Sequence, residues 1–389
     1  MTAPKQAYKP RTRYIAAVGF EASNACGFQG EVRLLIALIW IAGPLFLTLL
    51  SGIAYQRLGQ KRDSRLHPPP GRLVDLGTHR LHLMDEGRGS PTIILEAGLM
   101  STILSWTTIQ RELARSYRVI SYDRAGLGWS DPGPMPRTAE RMVDELHSLL
   151  ERAAIPSPYL LVGHSFGGLT MPLFAARYPK ETAGMVLVDP VAPVEWNPPS
   201  EQDRRRAEIG SIVCRRAAAL SHVGIIRFVA FLLTSRARNV ANRLVRLISR
   251  GTPAESGSVS SPWFWNLPAD ERKMASVFWL QEKFCNTIAS QLDNLPASAA
   301  RVAQLGNFCD KPVVILSAMS TPLQRRQHHV AITQCLPQGR HLLAETSSHW
   351  IMQDQPDLVI GAIRAVAQSF NPTGDSRFER SFSPRGKIA

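Results

Sequence analysis

The residues best placed for chemistry in this chain lie around Ser165, in the run Gly163-His164-Ser165-Phe166-Gly167-Gly168. The apolar run Tyr159–Val162 before it reads as a strand, and Leu169–Tyr178 after it reads as a helix. A G-x-S-x-G motif between strand and helix is a nucleophile elbow, a turn sharp enough to expose the serine Oγ. Side chains at Gly163 and Gly167 would collide with neighbouring backbone in such a turn. The turn also aims the Phe166 N–H at the place where a substrate carbonyl oxygen would sit. A serine hydroxyl is a weak nucleophile until a base takes its proton. The same chemistry needs preorganised N–H donors for the oxyanion that forms.

The base for such a serine is most often a histidine, and in a strand–helix alternation the candidate is one on a loop at a strand's carboxyl end. His341–Ala344 reads as such a strand, and His349 follows it. His164 is the variable residue of the elbow, while His328 and His329 fall in a polar helical stretch and read as solvated. The base in turn needs a carboxylate to fix its tautomer and orientation. No Asp or Glu occurs between Asp310 and Glu345, so the strand Val313–Ser317 is followed by Ala318-Met319-Ser320-Thr321-Pro322 with no acid. Asp310 precedes that strand, at the wrong end of the sheet. Asp189, directly after the strand Met185–Val188, is at the right end, giving the order Ser165, Asp189, His349. The competing reading makes Asp189 a loop cap and leaves Glu345 or water to orient His349.

The elements that must position these groups form a regular alternation. Arg72–Leu76 and Arg80–Met84 read as a hairpin around Gly77-Thr78. Thr92–Glu96, Arg118–Tyr122, Tyr159–Val162, Met185–Val188 and Val313–Ser317 read as buried strands, with helices such as Ile109–Ser116 and Thr138–Ala154 between them. This pattern predicts an α/β fold, a mainly parallel, doubly wound sheet whose ligands sit beyond the carboxyl ends of its strands.

At this point the sequence resembles the α/β-hydrolase superfamily, in its lid-bearing branch of esterases and lipases, from about Pro68 to Phe370. The matching pieces occur in the family's order: Leu95-Glu96-Ala97-Gly98-Leu99, then Tyr122-Asp123-Arg124-Ala125-Gly126-Leu127-Gly128-Trp129-Ser130-Asp131, then the elbow, Leu187-Val188-Asp189-Pro190, and Ser348-His349-Trp350 before Gln353–Asp357. The resemblance implies that Leu99 supplies the second oxyanion N–H. Many relatives carry His-Gly where this chain has Ala97-Gly98, but a backbone N–H does the work. Some lipases and dehalogenases of the superfamily place their acid after the earlier strand, as Asp189 would be here. Serine at the elbow separates the chain from the epoxide hydrolase and haloalkane dehalogenase branches, which use Asp there. By position, residues 193–306 would be a helical lid inserted after the sixth strand, between core segments 72–192 and 307–370.

Ahead of the core, Leu34–Ala54 runs 21 residues without a charge, about 31 Å as a helix, the thickness of a bilayer core. We expect a transmembrane helix over 34–54, an N-terminal tail over 1–33, a Pro-rich linker over 55–71 and a basic disordered tail over 371–389. A cleaved signal sequence fits less well, although Gly52-x-Ala54 could serve as a cleavage site. Five Lys and Arg precede the span and five follow it to Arg72, so the positive-inside rule leaves its orientation open.

The 45 Lys+Arg against 31 Asp+Glu give a net charge of +14, which calls for an anionic neighbour. Residues 201–250 hold eleven arginines and three acids around the apolar run His222–Leu233. This suits a lid lying on an anionic bilayer, or a helix packed on the core with solvated arginines. Trp263, Phe264, Trp265, Phe278 and Trp279 would line an apolar acyl pocket or pack the lid. No zinc-finger, helix-turn-helix or RNP-type motif accompanies the charge, so nucleic acid is set aside as a partner. The cysteines Cys26, Cys214, Cys285, Cys309 and Cys335 have neither CxxC nor metal spacing and read as buried, inert thiols. No metal or cofactor is implied. The sequence therefore reads as a membrane-anchored, single-pass serine hydrolase acting on carboxylic esters with an apolar acyl group, lipid esters included. A carbon–carbon hydrolase or acyltransferase with the same triad, or a non-catalytic hydrolase-like binder, stays open.

Overall fold

The computed structural model describes residues 18–234 and 267–370, with side chains over 39–232 and 267–370. The chain divides into two compact units, one ending at Tyr55 and the other beginning at Gln56. Helix α1 (Val18–Leu66) contains Pro44 and runs through the boundary. In the first unit its large apolar side chains, among them Ile39, Trp40, Ile41, Leu45, Phe46 and Leu47, are exposed. The stretch Ile39–Leu66 is long and apolar enough to cross a bilayer. Helix α1 runs past the expected apolar span at both ends. Residues 18–33, assigned to the tail, are helical, and so are 55–66, assigned to the linker; only His67–Gly71 is left to connect α1 to the core. Loss of hydropathy marks where a bilayer would end, not where a helix must, and Gln56–Leu66 contains a single Gly and no Pro. The expected tail at 371–389 lies outside the described residues.

The second unit is built on an eight-stranded sheet: β1 (Arg72–Asp75), β2 (Arg80–Glu86), β3 (Thr92–Glu96), β4 (Val119–Tyr122), β5 (Tyr159–His164), β6 (Thr182–Val188), β7 (Val313–Ala318) and β8 (Gly339–Ala344), in the order β1-β2-β4-β3-β5-β6-β7-β8. The hairpin β1–β2 is antiparallel and β2 joins β4 antiparallel; every later pairing is parallel. Strands β3 to β7 are buried along their whole length, as their continuous apolar runs require when helices cover both faces. One face packs α2 (Thr107–Leu113) and the C-terminal α11 (Pro356–Ser369) on residues such as Ile93, Val162 and Val186. The other packs α3 (Ala139–Arg152) and α4 (Gly167–Arg177) on Ile94, Leu161 and Leu187. Thr138 caps α3, its hydroxyl accepting from the Arg141 N–H.

Between β6 and β7 the chain turns helical: α5 (Glu201–His222), α6 (Ile225–Thr234), α7 (Ala269–Trp279), α8 (Glu282–Asp293) and α9 (Leu295–Ala303). Residues 235–266, with the expected Trp263, Phe264 and Trp265 and five of the eleven arginines, lie outside the described residues. The insertion is bonded to the core. Lys283 Nζ donates to the carbonyls of Gly128 (2.9 Å) and Ser130 (2.6 Å), and burial pushes its pKa down to about 8. Phe278 is buried edge-on against Trp129, 4.8 Å between centroids, which is packing of insertion against core.

Two further expectations are corrected. His329, on α10 (Leu323–Gln334), is fully buried, because Ser317 Oγ and the Pro190 carbonyl satisfy its ring nitrogens. Of the thiols, Cys285 and Cys309 are buried, Cys214 is half-buried and Cys335 is exposed at the end of α10.

Candidate active site

Every residue singled out for chemistry lies at the carboxyl end of a sheet strand. Ser165 follows β5 with φ +51°, a left-handed conformation that costs a non-glycine residue about 1–3 kcal/mol and is held only where surroundings enforce it. The enforcement is visible. The Ser165 N–H donates to the Val188 carbonyl at 3.0 Å, and the Ser165 carbonyl accepts from Gly168 and Val191, both at 2.9 Å. The elbow glycines are there for space. A Cβ on Gly163 would stand 2.6 Å from the Gly167 carbonyl oxygen, and one on Gly167 would stand 3.0 Å from Glu96 Cγ. The sharp turn exists because neither carries a side chain.

The loop after β3 closes on the elbow. A Cβ on Gly98 would lie 2.7 Å from His164 Nδ1 and 3.2 Å from the Ser165 Cβ, so this loop touches the serine. Leu99 follows, half-buried, and Phe166 begins α4. Among the described residues, neither the Leu99 nor the Phe166 N–H has a protein acceptor. Free donors beside the half-buried Ser165 are what an oxyanion requires.

Asp189 follows β6 with φ +42° and is almost fully buried. Its Oδ2 lies 2.6 Å from His349 Nδ1. Its Oδ1 accepts from the Thr321 hydroxyl at 2.6 Å and the Ala318 N–H at 3.3 Å. Burial pushes the carboxyl up, but the hydrogen bond and charge of His349 and the Thr321 hydroxyl outweigh it and hold Asp189 below its ordinary range. The carboxylate is thus ionised and acts as acceptor on both oxygens. Glu345, the alternative orienter, is exposed. The segment after β7 carries no acid, yet it still serves the site by donating to one.

His349 is 36% exposed at the side chain, in keeping with a base that must meet substrate. The loop carrying it is fixed by Asp354 Oδ2, which accepts from the Ser348 N–H (2.8 Å) and hydroxyl (2.5 Å). His164 supports it from beneath. Burial and the neighbouring His349 push the His164 pKa far down, so the ring is neutral. Its Nε2–H donates to the His349 carbonyl at 3.0 Å, and the two rings lie 4.7 Å apart. The supporting roles of Thr321 and His164 leave no mark in sequence, because each depends on a partner from a distant strand or loop, whereas Asp354 bonds a serine six residues away.

Residues 91–356, well over half of the chain, match the family described by the alpha/beta hydrolase fold. This chain is an alpha/beta hydrolase. Other members and neighbours extend the likeness in different ways. The YqjL protein of Bacillus subtilis is 37% identical over 105 residues, 27% of this chain and 42% of that one. The mouse sn-1-specific diacylglycerol lipase ABHD11 is 24% identical over 294 residues, 72% of this hydrolase and 82% of the mouse protein. The epoxide hydrolase VrEH1 of Vigna radiata superposes with a TM-score of 0.56 at 17% identity, covering 77% of this chain and 98% of that one, a likeness of fold alone. The chain spans only 18% and 42% of the curated relatives it matches at 41% and 37% identity.

Proposed function

We propose that this alpha/beta hydrolase is a membrane-anchored serine hydrolase that cleaves carboxylic esters with an apolar acyl group, lipid esters included, through an acyl-enzyme. Ser165 Oγ attacks the ester carbonyl while His349 takes its proton. Asp189 accepts from His349 Nδ1–H, fixing the tautomer that leaves Nε2 as the base and stabilising the imidazolium that forms. The Leu99 and Phe166 N–H groups bind the oxyanion. The alcohol leaves with the proton returned from His349, and water, activated by the same imidazole, releases the acid.

The observation that carries this reading is the 2.6 Å contact between His349 Nδ1 and the buried, ionised Asp189, beside a serine held at positive φ. The apolar acyl preference is supported by the mouse relative's printed activity on diacylglycerol. The membrane tether is supported by the apolar, exposed stretch from Ile39; the insertion between β6 and β7 would be the lid. Labelling with a fluorophosphonate tests the chemistry directly. The folded protein should form one adduct, on Ser165, and Ser165→Ala should abolish both the adduct and ester cleavage. A folded chain that leaves Ser165 unmodified overturns the reading.

A further inference from the structure

The two proposed oxyanion donors sit on different loops, and one buried cation touches both loops. Arg124, just after β4, is 3% exposed. Its Nη1 donates to Glu96 Oε1 at 2.5 Å and to the Ala97 carbonyl, and its Nη2 donates to the Gly98 carbonyl at 2.7 Å. On its other side the guanidinium carbon lies 5.3 Å from the centroid of the Phe166 ring. Glu96 is fully buried, and its second oxygen accepts from the Tyr122 hydroxyl.

The geometry has a consequence for the Leu99 N–H. A trans peptide is a rigid plane in which the C=O and the following N–H point in opposite directions. The Gly98 carbonyl and the Leu99 N–H share one such plane; the guanidinium at 2.7 Å, with the Ser101 N–H more distant at 3.3 Å, holds that carbonyl and so sets the direction of that N–H. Glycine is the residue least able to hold the plane by itself. Pull on the carbonyl by a cation also strengthens the N–H as a donor. The Phe166 ring, packed on the same cation, belongs to the residue supplying the other N–H. Stability alone accounts poorly for the cluster, since burying an ion pair is costly and an apolar core would fill the space as well. Arg124 Nε is in addition buried without a partner.

We propose that Arg124 is a positioning residue of the hydrolytic reaction, clamping the Ala97–Gly98 carbonyls against the Phe166 ring so that both oxyanion N–H groups are held in register. Glu96 and Tyr122 hold the guanidinium in turn. The proposal rests on the serine-hydrolase reading above.

The test uses the full chain and rates per active site, counted by fluorophosphonate titration. Lysine keeps the charge of Arg124 but cannot span two carbonyls and a carboxylate. Arg124→Lys should lower kcat on a short-chain soluble ester by about 10- to 100-fold, less than or equal to losing one oxyanion donor outright. KM should stay within about threefold. The Ki of an aliphatic trifluoromethyl ketone, whose hemiketal oxygen occupies the hole, should rise by the factor by which kcat/KM falls. A merely structural role would lower the titrated fraction and leave per-site kcat and Ki alone; that result overturns the proposal. Should Arg124→Lys show no folding transition, Tyr122→Phe decides. It should show the same pattern at about three- to tenfold, and unchanged kcat and Ki would overturn the clamp. A wild-type chain that neither labels nor cleaves would instead reject the underlying enzyme reading.

Discussion

At Asp189 the chemistry depends on three donors converging on one carboxylate. Asparagine there keeps the shape but presents an amide to His349 Nδ1, favouring the wrong tautomer. Asp189→Asn should lower kcat by about three to four orders of magnitude with the fold intact, measured by steady-state ester hydrolysis; near-normal turnover would mean that another group orients His349. Thr321→Val is the finer probe. It removes the hydroxyl 2.6 Å from Oδ1 and leaves only the Ala318 N–H at 3.3 Å on that oxygen. With one lowering influence gone, the carboxyl pKa moves back up, and the loosened carboxylate should lower kcat about tenfold in steady-state ester hydrolysis. Turnover equal to wild type would remove Thr321 from the site. The placement of Ser165, His349 and Asp189 after strand ends was legible in the sequence, because strand ends can be read from apolar runs. Thr321 and Arg124 were not, since a hydroxyl or guanidinium becomes informative only when a partner far along the chain is brought to it.

Elements were legible to the degree that their burial is uniform. Strands β3 to β7 bury every residue and so write themselves as apolar runs. Helix α10 shows where that logic fails. Its sequence LQRRQHHVAITQ is mostly polar and reads as a solvated helix, yet His329 turns inward to join β7 and the loop after β6. The polarity of this junction follows from protonation. Burial lowers the His329 pKa to about 4 from 6.5, so the ring is neutral; its Nε2–H donates to Pro190 and Nδ1 accepts from the Ser317 hydroxyl. As pH falls from 6.5 towards 4 the unfolded chain binds a proton that the folded chain refuses, so stability is lost across that window, by up to about 3 kcal/mol. His164, also pushed down by burial, acts with the same sign. Asp189, also held below its ordinary range, acts with the same sign, and its contribution is lost only at still lower pH. Urea unfolding between pH 7 and 4.5 should therefore show a falling midpoint in the wild type and a shallower fall in His329→Gln. Equal slopes in the two proteins would show that His329 is not the group responsible.

At the scale of the whole molecule, the question is what the +14 and the apolar helix do together. Arg57, Lys61, Arg62 and Arg65 are all exposed along the last turns of α1, where anionic headgroups would meet a chain leaving a bilayer. Asp63, the acid among them, is taken up by Arg227 of α6 at 2.6 Å, and Gln56 accepts from the same guanidinium at 3.0 Å. The helical insertion is thus fastened to the basic end of α1 within the second unit. A membrane tether would raise the local concentration of any substrate that resides in the bilayer. Deleting residues 1–55, the whole first unit, should therefore leave kcat/KM for a short, water-soluble ester within about twofold. Hydrolysis of a long-chain ester presented in anionic vesicles should fall by tenfold or more, and the protein should move from the membrane pellet to the supernatant. Full-length chain recovered in the supernatant without detergent would reject the anchor. Vesicle activity independent of residues 1–55 would show that the core reaches lipid substrate unaided.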